Sequence, residues 1–175
     1  NKSFDMSVCT EASIEANPGT ITEEKLRALK ACGINRISIG VQSFSDDELK
    51  MLGRIHSARE AYEAIEKAAK YFDNINIDIM TALPGQTAQR LLSTVKSAVS
   101  CGASHLSCYS LIIEDGTEFK ELYDREELKL PGEDADRDMF SLLCEYLREN
   151  GYERYEISNF AKPGFRCCHN MKYWT

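Results

Sequence analysis

The chain has 175 residues, enough for one domain with a real core, and its apolar (43%) and charged (28%) fractions are those of an ordinary folded protein. A net charge of −7 and a pI of about 5.1 argue against a nucleic-acid backbone as the main partner. No apolar run approaches the ~20 residues of a membrane-spanning helix, so no membrane span is expected.

The chain opens NKSFDMS, with neither an initiator methionine nor a signal-peptide pattern, and closes on Tyr173-Trp174-Thr175. Both ends look cut, so a piece of a longer protein is expected. Ser7–Glu15 alternates well enough to be a strand, and Asn17-Pro18-Gly19 breaks it. Thr20 with Glu23 reads as a capping box, and Leu26, Leu29 and Cys32 mark the buried stripe of the helix that follows. Gly33 stops that helix. Asn35–Gly40 is the next strand, leading into Val41-Gln42-Ser43-Phe44. Ser45 with Glu48 reads as a second capping box, opening a short helix that reaches Gly53-Arg54-Ile55-His56. Ala58–Tyr71 is a further helix, with Ala61, Ala64, Ile65 and Ala68 on one side.

Asn74–Thr87 (NINIDIMTALPGQT) organises the middle of the chain. Ile75, Ile77 and Ile79 alternate with Asn76, Asp78 and Met80, a period-two pattern of β-branched residues that reads as a strand. Leu83-Pro84-Gly85 is a turn, and Thr87 can cap the helix Ala88–Ser100. His105–Ile113 is a strong strand closed by Asp115-Gly116, and Gly116–Leu130 is a charged loop with a short helix. Glu133–Asn150 is a long amphipathic helix whose core face takes Phe140, Leu143, Tyr146 and Leu147. Arg154–Ser158 is a last, weak strand, and Ser158–Thr175 shows little periodicity.

Gly33, Gly102 and Gly151 each end a helix just before a strand, which is the αβ connection of a βαβ fold. Strands recur roughly every 30 residues with helices between them, so a parallel sheet or barrel is expected. Four good strands and one weak one cannot close an eight-stranded barrel, which takes about 250 residues. The expected division is a βα-barrel part over 1–130, then a helix, a short strand and the start of an extension over 131–175.

Seven cysteines are irregularly spaced, and no C-x-x-C or C-x-x-x-C pair occurs. Neither a zinc site nor a cluster site can be read from them, and free thiols in a reducing cytoplasm are expected. Cys32 and Cys144 fall on apolar helix faces and read as buried. There is no G-x-G-x-x-G, no P-loop and no G-x-S-x-G elbow.

In parallel βα folds, functional residues sit where strands end. Glu15 ends the first strand, Gln42 the second, and Asp78 lies near the end of the third. Ser110 and Ile112 lie near the end of the fourth, and Arg54 sits in the loop after the second. Two carboxylates, a carboxamide and a guanidinium on one rim suit a ligand with hydroxyls, an amine and a carboxylate. Taken singly, each reads equally well as a polar loop or strand-face residue. His169 stands among Cys167, Cys168, Asn170, Tyr173 and Trp174. Such a set fits an axial ligand beside flat aromatic faces, or an ordinary surface loop docked by its aromatics.

Taken together and in order, Glu15-Ala16-Asn17-Pro18, Ser38–Phe44 (SIGVQSF), Leu52–His56 (LGRIH), Asn76-Ile77-Asp78 and Leu83–Thr87 (LPGQT) resemble the radical SAM proteins related to oxygen-independent coproporphyrinogen III oxidase. The resemblance covers nearly the whole chain. Gln42-Ser43-Phe44, Gly53–His56 and the terminal His169-Asn170-x-x-Tyr173-Trp174 are similar to the haem chaperone branch. The resemblance implies an α/β fold, a partial (β/α)6 barrel of parallel strands incomplete at its N-terminus. It implies an S-adenosylmethionine site formed by Glu15, Gln42, Arg54, Asp78 and Ile112, and a haem contact at His169. It implies a 4Fe-4S cluster whose C-x-x-x-C-x-x-C ligands lie upstream of this chain, which alone is then expected to be inactive. The partners implied are a tetrapyrrole, either haem or coproporphyrinogen, and a haem-receiving respiratory protein. The activities implied are haem delivery or radical decarboxylation of propionate side chains. The alternative outside this family is an unrelated βα-barrel enzyme that shares only the strand grammar.

Overall fold

The computed structural model describes residues 8–174; Ser7, the first residue of the first predicted strand, lies outside them. The strands are β1 (Ser13–Ala16), β2 (Arg36–Gln42), β3 (Asn74–Thr81), β4 (His105–Ser110), β5 (Glu153–Arg154) and β6 (Asn159–Ala161). They form one sheet in the order β1-β2-β3-β4-β6-β5. The first four run parallel, whereas β6 is antiparallel to β4 and β5 antiparallel to β6. The helices are α1 (Glu23–Ala31), α2 (Asp46–Met51), α3 (Ala58–Ala69), α4 (Ala88–Ser100), α5 (Glu118–Asp124), α6 (Glu133–Glu149) and α7 (Cys168–Met171).

Alternation along the strands makes the two sheet faces chemically opposite. One face carries Ile37, Ile39, Val41, Ile75, Ile77, Ile79, Leu106 and Phe160, all within the core. Each such side chain contributes about 1.5–3 kcal/mol on burial. The stripes that cover this face come from α3 (Ala61, Ala64, Ile65, Ala68), α4 (Leu91, Val95, Ala98) and α6 (Met139, Leu143, Leu147). Phe140 and Tyr146 of the expected α6 face pack only partly, and Met139 takes the deep position. The helix and strands after residue 130 share this core and this sheet. The other face is polar, and it carries the site.

Several local expectations are corrected. β1 starts at Ser13, because Ala12 N and Thr10 O are taken by the side chain of Asn35, and only Ala12 O reaches β2, accepting from Arg36 N. The cap of α1 is Thr22, whose hydroxyl accepts from Lys25 N; Thr20 closes a 3-10 turn and gives its hydroxyl proton to Asn17 O. Ser45 stands at the start of α2 without a capping bond from its side chain, because Glu48 is drawn inward to Ser43 Oγ (2.5 Å) and Arg90 Nε (3.2 Å). The capping box that does form is Ser57–Glu60, ahead of α3. The weak strand at Arg154–Ser158 is replaced by the β5–β6 pair. Cys32 is exposed at the end of α1, and Cys144 is only half-buried.

Candidate functional site

Strand register arranges the polar face in levels. Ser13 and Arg36 pair at the lowest level, and Glu15, Ser38, Asn76 and His105 form the next. Asp78 and Ser107 follow, joined by Asn159 of β6. A cavity of about 480 Å³ lies over all of these except the fully buried His105, and the C-terminal turn closes one side of it with Cys167, His169 and Asn170. Asp78 lies three residues before the end of β3. It shares this cavity with Glu15, close enough for the Glu15 charge to act on it.

Asp78 is held by neutral donors. Asn76 Nδ2 donates to its Oδ1 (2.6 Å), and Ser38 Oγ donates at 3.2 Å. Burial nevertheless pushes its carboxyl above the ordinary range, with Glu15 adding to the rise. Behind it runs a polarised chain. With its Nδ2 toward Asp78, Asn76 must accept through Oδ1, so His105 Nδ1 is the donor of their 2.5 Å bond. His105 Nε2 then accepts from Tyr155 Oη (2.7 Å), and that hydroxyl accepts in turn from Cys167 N (3.3 Å) and Asn170 Nδ2 (3.1 Å). This fixes His105 as the neutral Nδ1–H tautomer. Burial, with the Arg36 charge as a second cause, pushes its pKa down to about 3. The chain docks the turn that bears His169 against the sheet face that bears Asp78. Glu11 adds a second tether, accepting from Cys168 N (3.0 Å) and Cys167 Sγ (3.4 Å).

Gln42, Arg54 and Ile112 line a second, adjoining cavity of about 290 Å³ above the strand ends. Tyr109 lines both cavities, and its hydroxyl donates to Gln42 Oε1 (3.0 Å). Gln42 has a φ of 70°, rare for a residue with a side chain, and it follows an irregularity in the β2–β3 register. Backbone strain of this kind is stored where a side chain must be aimed. Arg54 Nη2 donates to Asn17 Oδ1 (2.6 Å) and Gly40 O (2.9 Å). A Cβ on Gly40 would meet both Gln42 and Arg54, so glycine leaves room for this pair. Ile112 is 79% exposed, an apolar side chain offered to the cavity mouth.

The predicted residues therefore fall into two adjoining groups: Glu15, Asp78 and His169 in one, and Gln42, Arg54 and Ile112 in the other. Acids, a carboxamide, a guanidinium and an exposed aliphatic group within joined cavities suit a polar ligand that also has a flat or apolar part. His169 is exposed, and its ring meets Tyr173 edge-on with centroids 5.2 Å apart. Its Nε2 lies 3.4 Å from Tyr173 Oη. Among the described residues no three His, Cys, Asp or Glu side chains gather into a metal-binding set.

Sequence reasoning passed over Arg36, Ser38, His105, Tyr109 and Tyr155. The signal for Arg36 and Ser38 was present: they alternate with Ile37 and Ile39 as Asn76 and Asp78 alternate with Ile77 and Ile79. Tyr155 had none, because it reaches the site only through the reversal at β5–β6.

The Radical SAM superfamily profile matches residues 10–98. The chain is 42% identical over 172 residues to a protein named haem chaperone HemW from Lactococcus lactis, covering 98% of this chain and 45% of that protein. It is 41% identical over 167 residues to the protein of the same name from Bacillus subtilis, covering 95% and 44%. The chain thus spans less than half the length of these relatives. Among solved structures, coproporphyrinogen III oxidase HemN from Escherichia coli superposes with a TM-score of 0.77 at 24% identity, over 93% of this chain and 38% of that one. Archaeal Elp3 from Methanocaldococcus infernus gives 0.67 at 22% identity, over 77% and 32%. At such identities these two likenesses speak for the fold. With just over half of its length matched by the family profile, on a parallel sheet of the same fold, this chain belongs to the radical SAM superfamily.

Proposed function

We propose that the chain forms the S-adenosylmethionine-binding sheet of a cytoplasmic haem chaperone. The observation that carries this reading is the joining of two groups on one polar face: the Glu15–Asp78 cavity, which also receives His169, and the Gln42–Arg54 cavity. The curated relatives, named haem chaperones at about 41–42% identity, support the choice within the family.

The residues present fit S-adenosylmethionine. Glu15 and Asp78 would accept from its hydroxyls or ammonium, Gln42 and Arg54 would offer an amide and a guanidinium, and Ile112 would give an apolar surface for its base. The space left by Gly40 is part of that fit. When bound, this cofactor supplies the family's radical chemistry. The seven cysteines of this chain do not fit a 4Fe-4S cluster, since no donor set gathers among the described residues.

Haem enters as cargo. His169 contacts the iron, and the exposed faces of Tyr173 and Trp174 contact the macrocycle. A haem-receiving respiratory protein then takes the haem. Among the described residues no helix is long and apolar enough to cross a membrane. The test is an absorption titration of the full-length protein with haem, beside an assay for decarboxylation of coproporphyrinogen propionates. His169→Ala is expected to weaken haem binding and move the Soret band. Propionate decarboxylation at an enzyme's rate, with a Soret band indifferent to His169→Ala, would replace this reading with the oxidase.

A further inference from the structure

Arg36 opens β2 at the lowest level of the polar face and lines the floor of the 480 Å³ cavity. Only 5% of the residue is exposed. Among the described residues its one side-chain bond runs from Nη1 to Ser13 Oγ (3.0 Å), a neutral partner, and its buried Nε has none. None of the ion pairs among the described residues involves it. A guanidinium cannot shed its proton, so burial leaves a fixed positive charge there. A buried charge without a counter-ion is strongly destabilising.

No described acid pairs with Arg36: Glu11, whose charge also reaches Cys167, has its Oε1 engaged by Cys168 N and Cys167 Sγ. His105, Tyr155 and Cys167 all feel its charge, and burial keeps each of them neutral. Glu15 sits one polar level higher and Asp78 higher still, and each inward-facing step along a strand is about 6.6 Å. The cavity is therefore polarised, with a guanidinium at its floor and two carboxyl groups above. We propose that Arg36 is a binding group for the carboxylate of a ligand seated in this cavity. A planar monoanion fits a guanidinium, whereas a phosphate dianion would carry its second charge toward Glu15 and Asp78.

The choice of probes rests on the function proposed above; the site itself does not. Two carboxylates come from that reading, a tetrapyrrole propionate and the amino-acid carboxylate of S-adenosylmethionine. The first arm uses neither. Sodium propionate at millimolar concentration should raise the melting temperature of the full-length wild-type protein above a sodium chloride control, and should not do so for Arg36→Gln. The second arm compares haem with haem dimethyl ester, and the third compares S-adenosylmethionine with its decarboxylated analogue. Wild-type protein should lose at least about tenfold in affinity for the member of one pair that lacks the carboxylate. Arg36→Gln should bind both members of that pair equally, and Arg36→Lys should retain part of the difference. The pair that discriminates identifies the ligand. Absence of a propionate effect, with both pairs bound alike by the wild-type protein, overturns the assignment. Failure of haem and S-adenosylmethionine to bind at all, with a propionate effect present, overturns the proposed function and leaves the carboxylate site standing.

Discussion

Gly40→Ala should separate binding from folding. Gly40 lies on the polar face of β2, and its backbone is not in the left-handed region, so alanine fits the backbone. An added Cβ would lie 3.1 Å from Gln42 Nε2, 3.3 Å from Arg54 Nη2 and 3.5 Å from Asn17 Oδ1. The first two are closer than ordinary contacts, and both involve the far ends of flexible side chains. Gln42 and Arg54 would therefore withdraw by a few tenths of an ångström, and the Arg54 bonds to Asn17 and Gly40 O would stretch. The loss to stability is about 1 kcal/mol for a weakened hydrogen bond. It is offset by about 0.5–1 kcal/mol because alanine orders more cheaply than glycine in a strand. The melting temperature should then move by no more than about 2–4 °C. Binding has no such offset. A 1 Å misplacement of a positioning group can cost about a hundredfold, so a few tenths should cost about tenfold, or ~1.4 kcal/mol. Calorimetric titration of the full-length protein with S-adenosylmethionine, paired with a thermal melt, reads both quantities. Unchanged affinity would remove the Gln42–Arg54 pair from the ligand site. A melting point lowered by about 10 °C or more would show that Gly40 is required for packing instead.

Acid should unfold the protein partly through His105. Its folded pKa of about 3 lies below the 6.5 of an ordinary imidazole, so below pH 6.5 the unfolded chain gains a proton that the folded chain refuses. Stability should fall by about 2–3 kcal/mol from this group between pH 6.5 and about 4.5, continuing toward pH 3. Urea melts of His105→Gln should show a flatter slope in that window, and an unchanged slope would refute the assignment. Glu126, exposed at a φ of 59°, should be improved by glycine. Glu126→Gly is expected to gain up to about 1 kcal/mol in urea denaturation, and a loss would show that its side chain makes a contact of value.

Local grammar was legible wherever one short-range rule had no competitor. Thr87 caps α4 as its position predicts, and Gly33, Gly102 and Gly151 take positive φ at helix ends. Ser45–Glu48 misled because the same four residues satisfy a second rule, a buried carboxylate meeting Ser43 and Arg90. Thr20–Glu23 misled because Pro18 starts a 3-10 turn that uses up Thr20. On the polar face, Glu15 and Asp78 were visible as carboxylates on strands, one residue at a time. Their meeting with His169 was not, since 90 residues of chain lie between Asp78 and His169 and only the antiparallel return of β6 brings them together. A three-residue strand is too short to show a period, so nothing in Asn159–Ala161 announced that return.

The narrowness of β5 has a consequence for solubility. A sheet ends in a row of unpaired backbone donors and acceptors, and a long apolar border is an invitation to a strand from another molecule. Here that border is two residues long, both exposed and both charged, Glu153 and Arg154. Glu153 is engaged by Arg166 at 2.7 Å, and the Arg154 guanidinium is folded back over the Phe140 ring at 4.9 Å. A foreign strand would gain few ladder bonds there and would have to strip solvent from charged groups. Aggregation by lateral growth is therefore disfavoured at this border, and replacing Glu153 and Arg154 with valine would be expected to reopen it.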